Sequence, residues 1–494
     1  MNQNTISEIR AASDKLLKEL NVEKYSNLSG LKLDSDQEGI FRKYPDFKDP
    51  GPFQSIKARE PEDANEEKGL RLIHSFLAKT YLEGASAKLR DQILNAESRA
   101  FITYDKRSIH YRSVLDRIKN EPKKSVRKEL DEKRRELVSR INPLYLKLFE
   151  TFNRESEELG FPTYMKLCDD ADCLELSKLR EMAKLFLSDT DYIYRDLLKW
   201  FLFKRMELKL EDLTSSDLHH LFSSYELRAN FPESLTVLIA KRLFSEMGIE
   251  ITKDLKIDSE KRSGKISGSF CLPLEVPNQI LCSINPSGGV ENYESYLRTL
   301  GKALCYSQTE PGESFEFRML AEPKYLEIFS HLFENLIYQP KWIKRYLKRD
   351  PGRDFLEFLY LRKLSILRCY CGKLIYEFLI HEDGEYKDKS EHYSQTLKEA
   401  TFAKHDKADY LIDIEPFFYS AVFVNASLIE VSFRSFLREA FDEEWWRKRE
   451  AGHFLLNLWK DGGRITSKDI AAKCGIKEVD ATPLIIDFQD IFRL

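Results

Sequence analysis

Apolar residues recur at the spacing of an amphipathic helix along most of this 494-residue chain, and this rhythm limits the possible fold more than any other feature. Strand-like alternation is rare outside residues 252–290, where glycine, proline and β-branched residues cluster. The pattern therefore predicts a mainly α fold, with an elongated helical body and one small β-sheet.

Changes in residue composition and apolar spacing divide the chain into four segments. Residues 1–68 are predicted to form an N-terminal helix and then, at 30–66, a polar surface loop punctuated by proline. Residues 69–251 carry helical patterns throughout. The small sheet and the two helices after it occupy residues 252–340, and the helical region 341–494 completes the body.

The net charge of the chain is slightly negative and does not favour binding to a polyanion. The formal net charge is -4 and the pI is about 6.2, so no global field draws in nucleic acid or an anionic membrane. No secretory signal pattern is present at the N-terminus, and charged side chains interrupt the most apolar stretch, residues 355–380. The eight cysteines include no CxxC pair, which is typical of free thiols. We expect a cytoplasmic protein with neither a nucleic-acid nor a membrane partner.

The helix predicted directly after the sheet contains the segment YLRTLGKALCY, residues 296–306. On a helical wheel, Arg298, Lys302 and Cys305 fall on the side opposite the apolar stripe. Viewed alone, such a face would be an ordinary solvated surface. The apolar stripe itself consists of Tyr293, Tyr296, Leu297, Leu300 and Leu304.

A second helical segment, residues 322–338, follows after a short connection. It places Glu327, His331 and Glu334 opposite its own apolar stripe, so that this face would also be solvated if nothing packed against it. The apolar stripe here consists of Tyr325, Phe329, Leu332, Phe333 and Leu336.

The order of a small sheet, a helix and a glutamate on the next helix resembles the zinc metallopeptidases of the thimet oligopeptidase and oligoendopeptidase F family. In that family the first helix carries HExxH, whose two histidines bind zinc while the glutamate activates the metal-bound water. A glutamate of the following helix supplies the third ligand. The frame of that motif survives here as Leu300-Gly301 and Ala303-Leu304.

The residues that carry the chemistry of the motif are replaced. In this resemblance Arg298 stands at the first histidine position, Thr299 at the glutamate and Lys302 at the second histidine. Glu327, 25 residues after Lys302, matches the third ligand. The resemblance implies a zincin-like body with a deep channel, without a cofactor. Because a buried carboxylate without its metal needs another cation, we predict that Arg298 or Lys302 forms a salt bridge with Glu327.

Two further segments fit the resemblance. Residues 417–436 resemble the late helix of the family whose tyrosines face the substrate, and they retain Tyr419 but have Phe423 near the place of a usual tyrosine pair. Tyr306, Tyr419 and Phe423 are thus candidates for lining the channel. The strand predicted at 278–284 is a candidate for pairing with a bound peptide, as the equivalent strand does in the active family.

The sequence favours the first of three functions, and the other two are alternatives. The first is a catalytically silent homologue that binds a peptide or a protein partner in the channel. The second is an active metallopeptidase or other hydrolase with a rebuilt metal site, in which Glu327, His331 and Cys305 would hold zinc and Glu334 or Glu327 would activate water. The third is a scaffold protein whose channel has filled in. Zinc is expected only in the second case.

Overall fold

The structure of the chain is a computed structural model, which describes residues 5–223, 225–251 and 254–493. It is mainly helical with two small sheets, which confirms the predicted fold class. The predicted boundary at residue 252 lies outside the described residues, as do both ends of the chain, residues 1–4 and residue 494.

The first half of the chain is a series of helices interrupted by one hairpin. Helix α1 begins at a capping box, in which Thr5 and Glu8 satisfy each other's backbone N–H groups. The helices are α1 (Ile6–Leu28), α2 (Gln37–Lys43), α3 (Gly51–Lys57), α4 (Ala64–Ala85), α5 (Ala87–Ser98), α6 (Val114–Lys119), α7 (Lys124–Glu158), α8 (Tyr164–Asp172), α9 (Leu176–Met206), α10 (Ser215–Leu221), α11 (Tyr225–Asn230) and α12 (Thr236–Glu246), and the hairpin strands are β1 (Phe101–Tyr104) and β2 (Arg107–His110).

Two predictions for this half are wrong. Residues 30–66 are not one surface loop, because α2 and α3 bury Phe41 and Phe53 in the core. The segment 69–251 is not wholly helical, because β1 and β2 pair as an antiparallel hairpin. Asp105 and Lys106 both adopt positive φ angles, 47° and 60°, the conformation of the two-residue turn that best joins twisted strands.

The second half begins with the predicted sheet, and its helical pattern resumes at Val290 as predicted. A continuous apolar core extends from Ile9 to Phe488 and is shared by all four predicted segments. The elements are β3 (Leu255–Asp258), β4 (Phe270–Glu275), β5 (Gln279–Ser283), α13 (Val290–Ser307), α14 (Phe315–Met319), α15 (Pro323–Glu334), α16 (Pro340–Trp342), α17 (Arg353–His381), α18 (Ser390–Thr401), α19 (Tyr419–Phe441), α20 (Arg449–Lys460), α21 (Ser467–Lys473) and α22 (Thr482–Arg493).

The order of the strands overturns the prediction for the strand at 278–284. The sheet has the order β3-β5-β4, with β5 parallel to β3 and antiparallel to β4. Strand β5 is therefore central, and neighbouring strands already occupy both of its edges. The edge strands are β3 and β4, and α1 covers part of the β4 edge: Asn21 Nδ2 donates to the carbonyl oxygen of Pro273 at 2.8 Å.

Helix α19 is the one described helix that is long and apolar enough to span a membrane. However, 78% of its apolar window is buried inside the fold. Such burial is typical of a core helix, whose apolar surface faces other helices. Within the fold, α19 packs against α15 and α17 and carries Tyr419 and Phe423 toward them.

A buried carboxyl group joins α17 to the start of α19. Ser420 Oγ donates to Glu377 Oε2 at 2.6 Å, and both residues are almost fully buried. Burial raises the pKa of Glu377 to about 8. The carboxyl group is thus mostly protonated in the folded chain at neutral pH.

We expect Glu377→Gln to remove a pH-dependent cost to stability. The folded chain keeps the proton while the unfolded chain loses it near pH 4.3, so the wild type loses up to about 1.4 kcal/mol per pH unit from about pH 5 to about pH 8. Urea unfolding of both proteins across this window checks the prediction. Parallel stability profiles for the variant and the wild type would contradict it.

Candidate functional site

Helices α13 and α15 cross in close contact at Gly301. A Cβ atom at this position would lie 2.5 Å from the carbonyl oxygen of Phe329, a distance that side-chain carbons do not tolerate. The glycine therefore lets the two backbones approach each other. This approach brings one turn of α13, with Arg298 and Lys302, against Glu327 of α15.

Both cations form ion pairs with the same carboxylate. Arg298 Nη2 lies 3.2 Å from Glu327 Oε2, and Lys302 Nζ lies 3.0 Å from Glu327 Oε1. Each oxygen thus accepts from a different cation, and Glu327 is only 3% exposed. This confirms the predicted salt bridge, which involves both residues rather than one.

The electrostatics of Glu327 follow from these contacts. Burial alone would raise the pKa of its carboxyl group, but Lys302 and Arg298 outweigh that effect and hold the pKa well below its usual range. The pKa of Lys302 is raised in return, because Glu327 outweighs the effect of burial on the ammonium group. All three side chains are therefore charged at neutral pH.

A second set of groups holds the guanidinium of Arg298. Its Nε lies 3.6 Å from Glu334 Oε2, and Glu334 also lies 3.5 Å from His331 Nδ1. The guanidinium stands 4.8 Å above the ring of Phe423 and donates to the Tyr419 hydroxyl at 3.5 Å. Carboxylates and aromatic groups thus surround Arg298 on several sides.

The face of α15 that would be solvated in an isolated helix is buried in the folded chain. Glu327, His331 and Glu334 are each less than one tenth exposed. The helix pattern could not indicate this burial, because the covering groups come from α13 and α19. Thr299, which the resemblance aligns with the glutamate of the motif, is buried as well.

The three residues considered for a rebuilt metal site are not brought together. Cys305 Sγ instead donates to the carbonyl oxygen of Gly301 at 3.3 Å within α13, and His331 faces Glu334. Across residues 5–223, 225–251 and 254–493, no group of three or more His, Cys, Asp and Glu side chains is placed to hold a metal ion.

A large cavity adjoins the Lys302 side of the site. Its volume is about 640 Å³, and its walls come from α1, α4, β4, α13, α21 and the segment around α14 and α15. Lys302 and Tyr306 lie on its wall. The lining of the cavity is mainly apolar, and it includes Leu17, Leu72, Phe76, Leu272, Met319 and Leu326.

Of the three predicted channel residues, only Tyr306 lines this cavity. Tyr419 is half-buried beside Arg298, away from the cavity wall. Phe423 is 2% exposed, because its ring stacks on Tyr370 with 3.7 Å between the ring centroids. It serves as packing for Arg298 and His331 rather than as channel lining.

No local sequence pattern indicated that the N-terminal helices contribute to the cavity. Leu17 and Asn21 of α1 line the cavity, as do Lys68 and Lys79 of α4. Only long-range packing brings these residues to the site.

Comparisons with known proteins give a fold and no close relative. No protein-family model matches the sequence, and no curated protein matches it. A Bacillus anthracis protein described as an oligoendopeptidase F superposes with a TM-score of 0.68 at 14% identity, over 99% of this chain and 93% of that one. A PZ peptidase A bound to an inhibitor gives a TM-score of 0.65 at 14% identity over 100% and 98% of the two chains.

A carboxypeptidase of Pyrococcus furiosus gives a TM-score of 0.61 at 11% identity, with 98% of each chain covered. The likeness thus extends over nearly the full length of this chain and of each of the three proteins. At such low identity, similarity of this kind establishes architecture and not activity. The chain has the helical fold of the oligoendopeptidase F and PZ peptidase structures.

Proposed function

We propose that this chain is a catalytically silent relative of the oligopeptidase-type metallopeptidases, which binds peptide without cleaving it. The observation that carries the proposal is the double ion pair of Arg298 and Lys302 with Glu327. In the proposed alignment the two cations stand where the family has histidines, and Thr299 stands where it has the water-activating glutamate. Protein charge then takes the place of the metal charge.

The side chains present do not fit a zinc ion. Zinc is bound through the lone pairs of imidazole, thiolate or carboxylate groups. Arg298 and Lys302 offer only N–H donors, and both are directed at Glu327, the one carboxylate that the alignment assigns to the metal. A zinc ion at this position would meet two positive charges and a single ligand.

The cavity supports the binding part of the proposal. Its volume of about 640 Å³ falls in the range of roughly 300–1,000 Å³ that is usual for ligand sites. Four of its charged wall residues form two ion pairs, Lys68 with Asp469 and Lys79 with Asp172. The remaining lining is mainly apolar, which suits a peptide segment with apolar side chains. A scaffold with a filled channel is harder to reconcile with this volume.

We also propose a cytoplasmic location. All eight cysteines are free thiols in the structure. Such usage is typical of a reducing compartment, where disulfides do not persist. The proposal does not depend on the binding function.

We expect the purified protein to contain well under one zinc per chain and to cleave no peptide. Inductively coupled plasma mass spectrometry measures the metal, and a quenched fluorescent peptide library with and without added zinc measures cleavage. The proposal would be contradicted if the protein cleaved peptides and held one zinc per chain that Glu327→Gln removes. That result would favour an active enzyme.

We expect peptides of that library to bind in the large cavity. Replacing Ala321, which lines it, by tryptophan would occupy part of the volume and should weaken binding about tenfold or more. Fluorescence anisotropy with labelled peptides measures the affinity. The matched control is Ala11→Trp on the exposed side of α1, which should bind as the wild type does. Equal affinities for both variants would place the peptide elsewhere.

A further inference from the structure

Two cysteines face each other across the strands beside the cavity. In the register of the sheet, Cys271 of β4 is the direct partner of Cys282 of β5. Directly opposed residues of an antiparallel pair project their side chains from the same face of the sheet. The two thiols are therefore neighbours, although no disulfide joins them in the structure.

The backbone hydrogen bonds of β5 show which kind of pair this is. The N–H groups of Ile280 and Ile284 donate to carbonyl oxygens at the β3 edge, Asp254 O at 3.0 Å and Asp258 O at 2.9 Å. Because alternate N–H groups of a strand point the same way, the N–H of Cys282 also points toward β3 and away from β4. Cys271 and Cys282 thus form a non-hydrogen-bonded pair.

This kind of pair has the spacing that a disulfide needs. Cα atoms of a non-hydrogen-bonded antiparallel pair lie about 4.5 Å apart, and disulfides span about 4.4–6.8 Å between Cα atoms. Closure therefore needs little backbone movement. The two thiols differ in access, since Cys271 lines the cavity next to Lys302 while Cys282 is fully buried behind it.

We propose that Cys271 and Cys282 are a redox-sensitive dithiol site, which closes to a cross-strand disulfide when a small peroxide enters the cavity. The sulfur of Cys271 attacks one oxygen of hydrogen peroxide, the O–O bond breaks, and hydroxide leaves and takes the thiol proton to form water. Cys282 then attacks the sulfenic sulfur, the S–O bond breaks, and a second water leaves with the Cys282 proton. Two thiols are oxidised and one peroxide is reduced to two waters.

The surroundings make this reaction slow at neutral pH. Burial outweighs the opposing effect of Lys302 and raises the pKa of Cys271 to about 12, and burial also raises the pKa of Cys282 well above its usual range. Because the thiolate is the nucleophile, closure should become about tenfold faster for each unit of pH in the alkaline direction. A slow, pH-dependent closure distinguishes the pair from an exposed and reactive thiol.

The sequence allows a direct test by mass spectrometry. Trypsin cuts after Lys265 and Arg298 and at no lysine or arginine between them, so one peptide, residues 266–298, contains both cysteines. After peroxide treatment of the full chain and alkylation, we expect this peptide to lose the mass of two hydrogens. Its alkylation should fall about tenfold relative to the untreated chain and return on reduction.

Single variants separate closure from simple oxidation. In Cys282→Ser the sulfenic acid of Cys271 should persist and be trapped by dimedone, whereas the wild type should trap about tenfold less. In Cys271→Ser no label should appear at residue 282. Cys305 lies in a different tryptic peptide, residues 303–318. A bond between peptides 266–298 and 303–318, or alkylation of both cysteines at untreated levels after peroxide, would overturn the proposal.

Discussion

Placing the HExxH pattern of the resembling family on α13 should give a protein that binds about one zinc per chain. The triple variant Arg298→His, Thr299→Glu, Lys302→His places two imidazoles one turn apart on the face that already meets Glu327. The close crossing at Gly301 positions both helices for this. Zinc at about a thousand times its Kd would stabilise the folded chain by about 4 kcal/mol. Metal analysis and zinc-dependent thermal unfolding measure both effects.

Two controls isolate the geometry of the site. Adding Glu327→Gln to the triple variant should weaken zinc binding strongly, because it removes the only carboxylate ligand on α15. A variant with glutamine at positions 298 and 302 and Thr299→Glu tests nonspecific binding at the changed surface. If the triple variant folds and binds no more zinc than this control, α13 does not present a degenerate metal-binding face.

The helices around the site can be predicted from the sequence because their apolar patterns are local. The apolar stripe of α13 predicted a helix after the sheet, and the helix begins at Val290 as expected. The glycines and prolines of residues 252–290 likewise indicated short strands with tight connections. Both signals depend on neighbours within one or two turns of chain, which a single sequence contains.

Strand order and burial depended on contacts that the sequence does not display. Strand β5 was predicted to have an edge free for a peptide but is central, because β3 pairs with it in parallel across the intervening strand β4 in sequence. Glu327 and Glu334 would be solvated on an isolated helix, and only the packing of α13 and α19 against α15 covers them. The hairpin at β1 and β2 was missed since its charged residues resemble those of the helices that follow.

The resemblance and charge compensation together predicted the ion pair of Glu327, which the structure contains. A buried carboxylate needs a compensating charge, and Arg298 and Lys302 are the cations that the resemblance aligns with the two histidine positions. The aromatic residues were less predictable. Phe423 packs against the guanidinium of Arg298, and Tyr419 does not line the cavity. The orientation of α19 relative to α13 decides which of its side chains reach the cavity.

Removal of the carboxylate at the centre of the site should be strongly destabilising. Glu327→Gln leaves Arg298 and Lys302 next to each other without the charge that pairs with both, and breaking a buried ion pair in this way costs about 3–5 kcal/mol. The remaining contact of Arg298 with Glu334, and the 31% exposure of the Lys302 side chain, place the expected loss toward the lower end. Chemical denaturation at pH 7 measures it.

The pH dependence and two controls identify the cause of that loss. The pKa of Glu327 is lowered by folding, so its contribution is complete above the unfolded pKa of about 4.3 and is lost as the pH falls further. The difference in unfolding free energy between the wild type and Glu327→Gln should thus be constant above about pH 5 and shrink in acid. Glu439→Gln, at an exposed carboxylate of α19 without an ion-pair partner among the described residues, should change stability by less than about 0.5 kcal/mol. Replacing Arg298 and Lys302 by methionine together with Glu327→Leu should cost much less stability than Glu327→Gln alone, since no charge then remains unpaired.

A Glu327→Gln variant as stable as the wild type at pH 7 would contradict this prediction. It would mean that water in the cavity solvates the two cations adequately, and that the ion pairs do not hold α13 against α15.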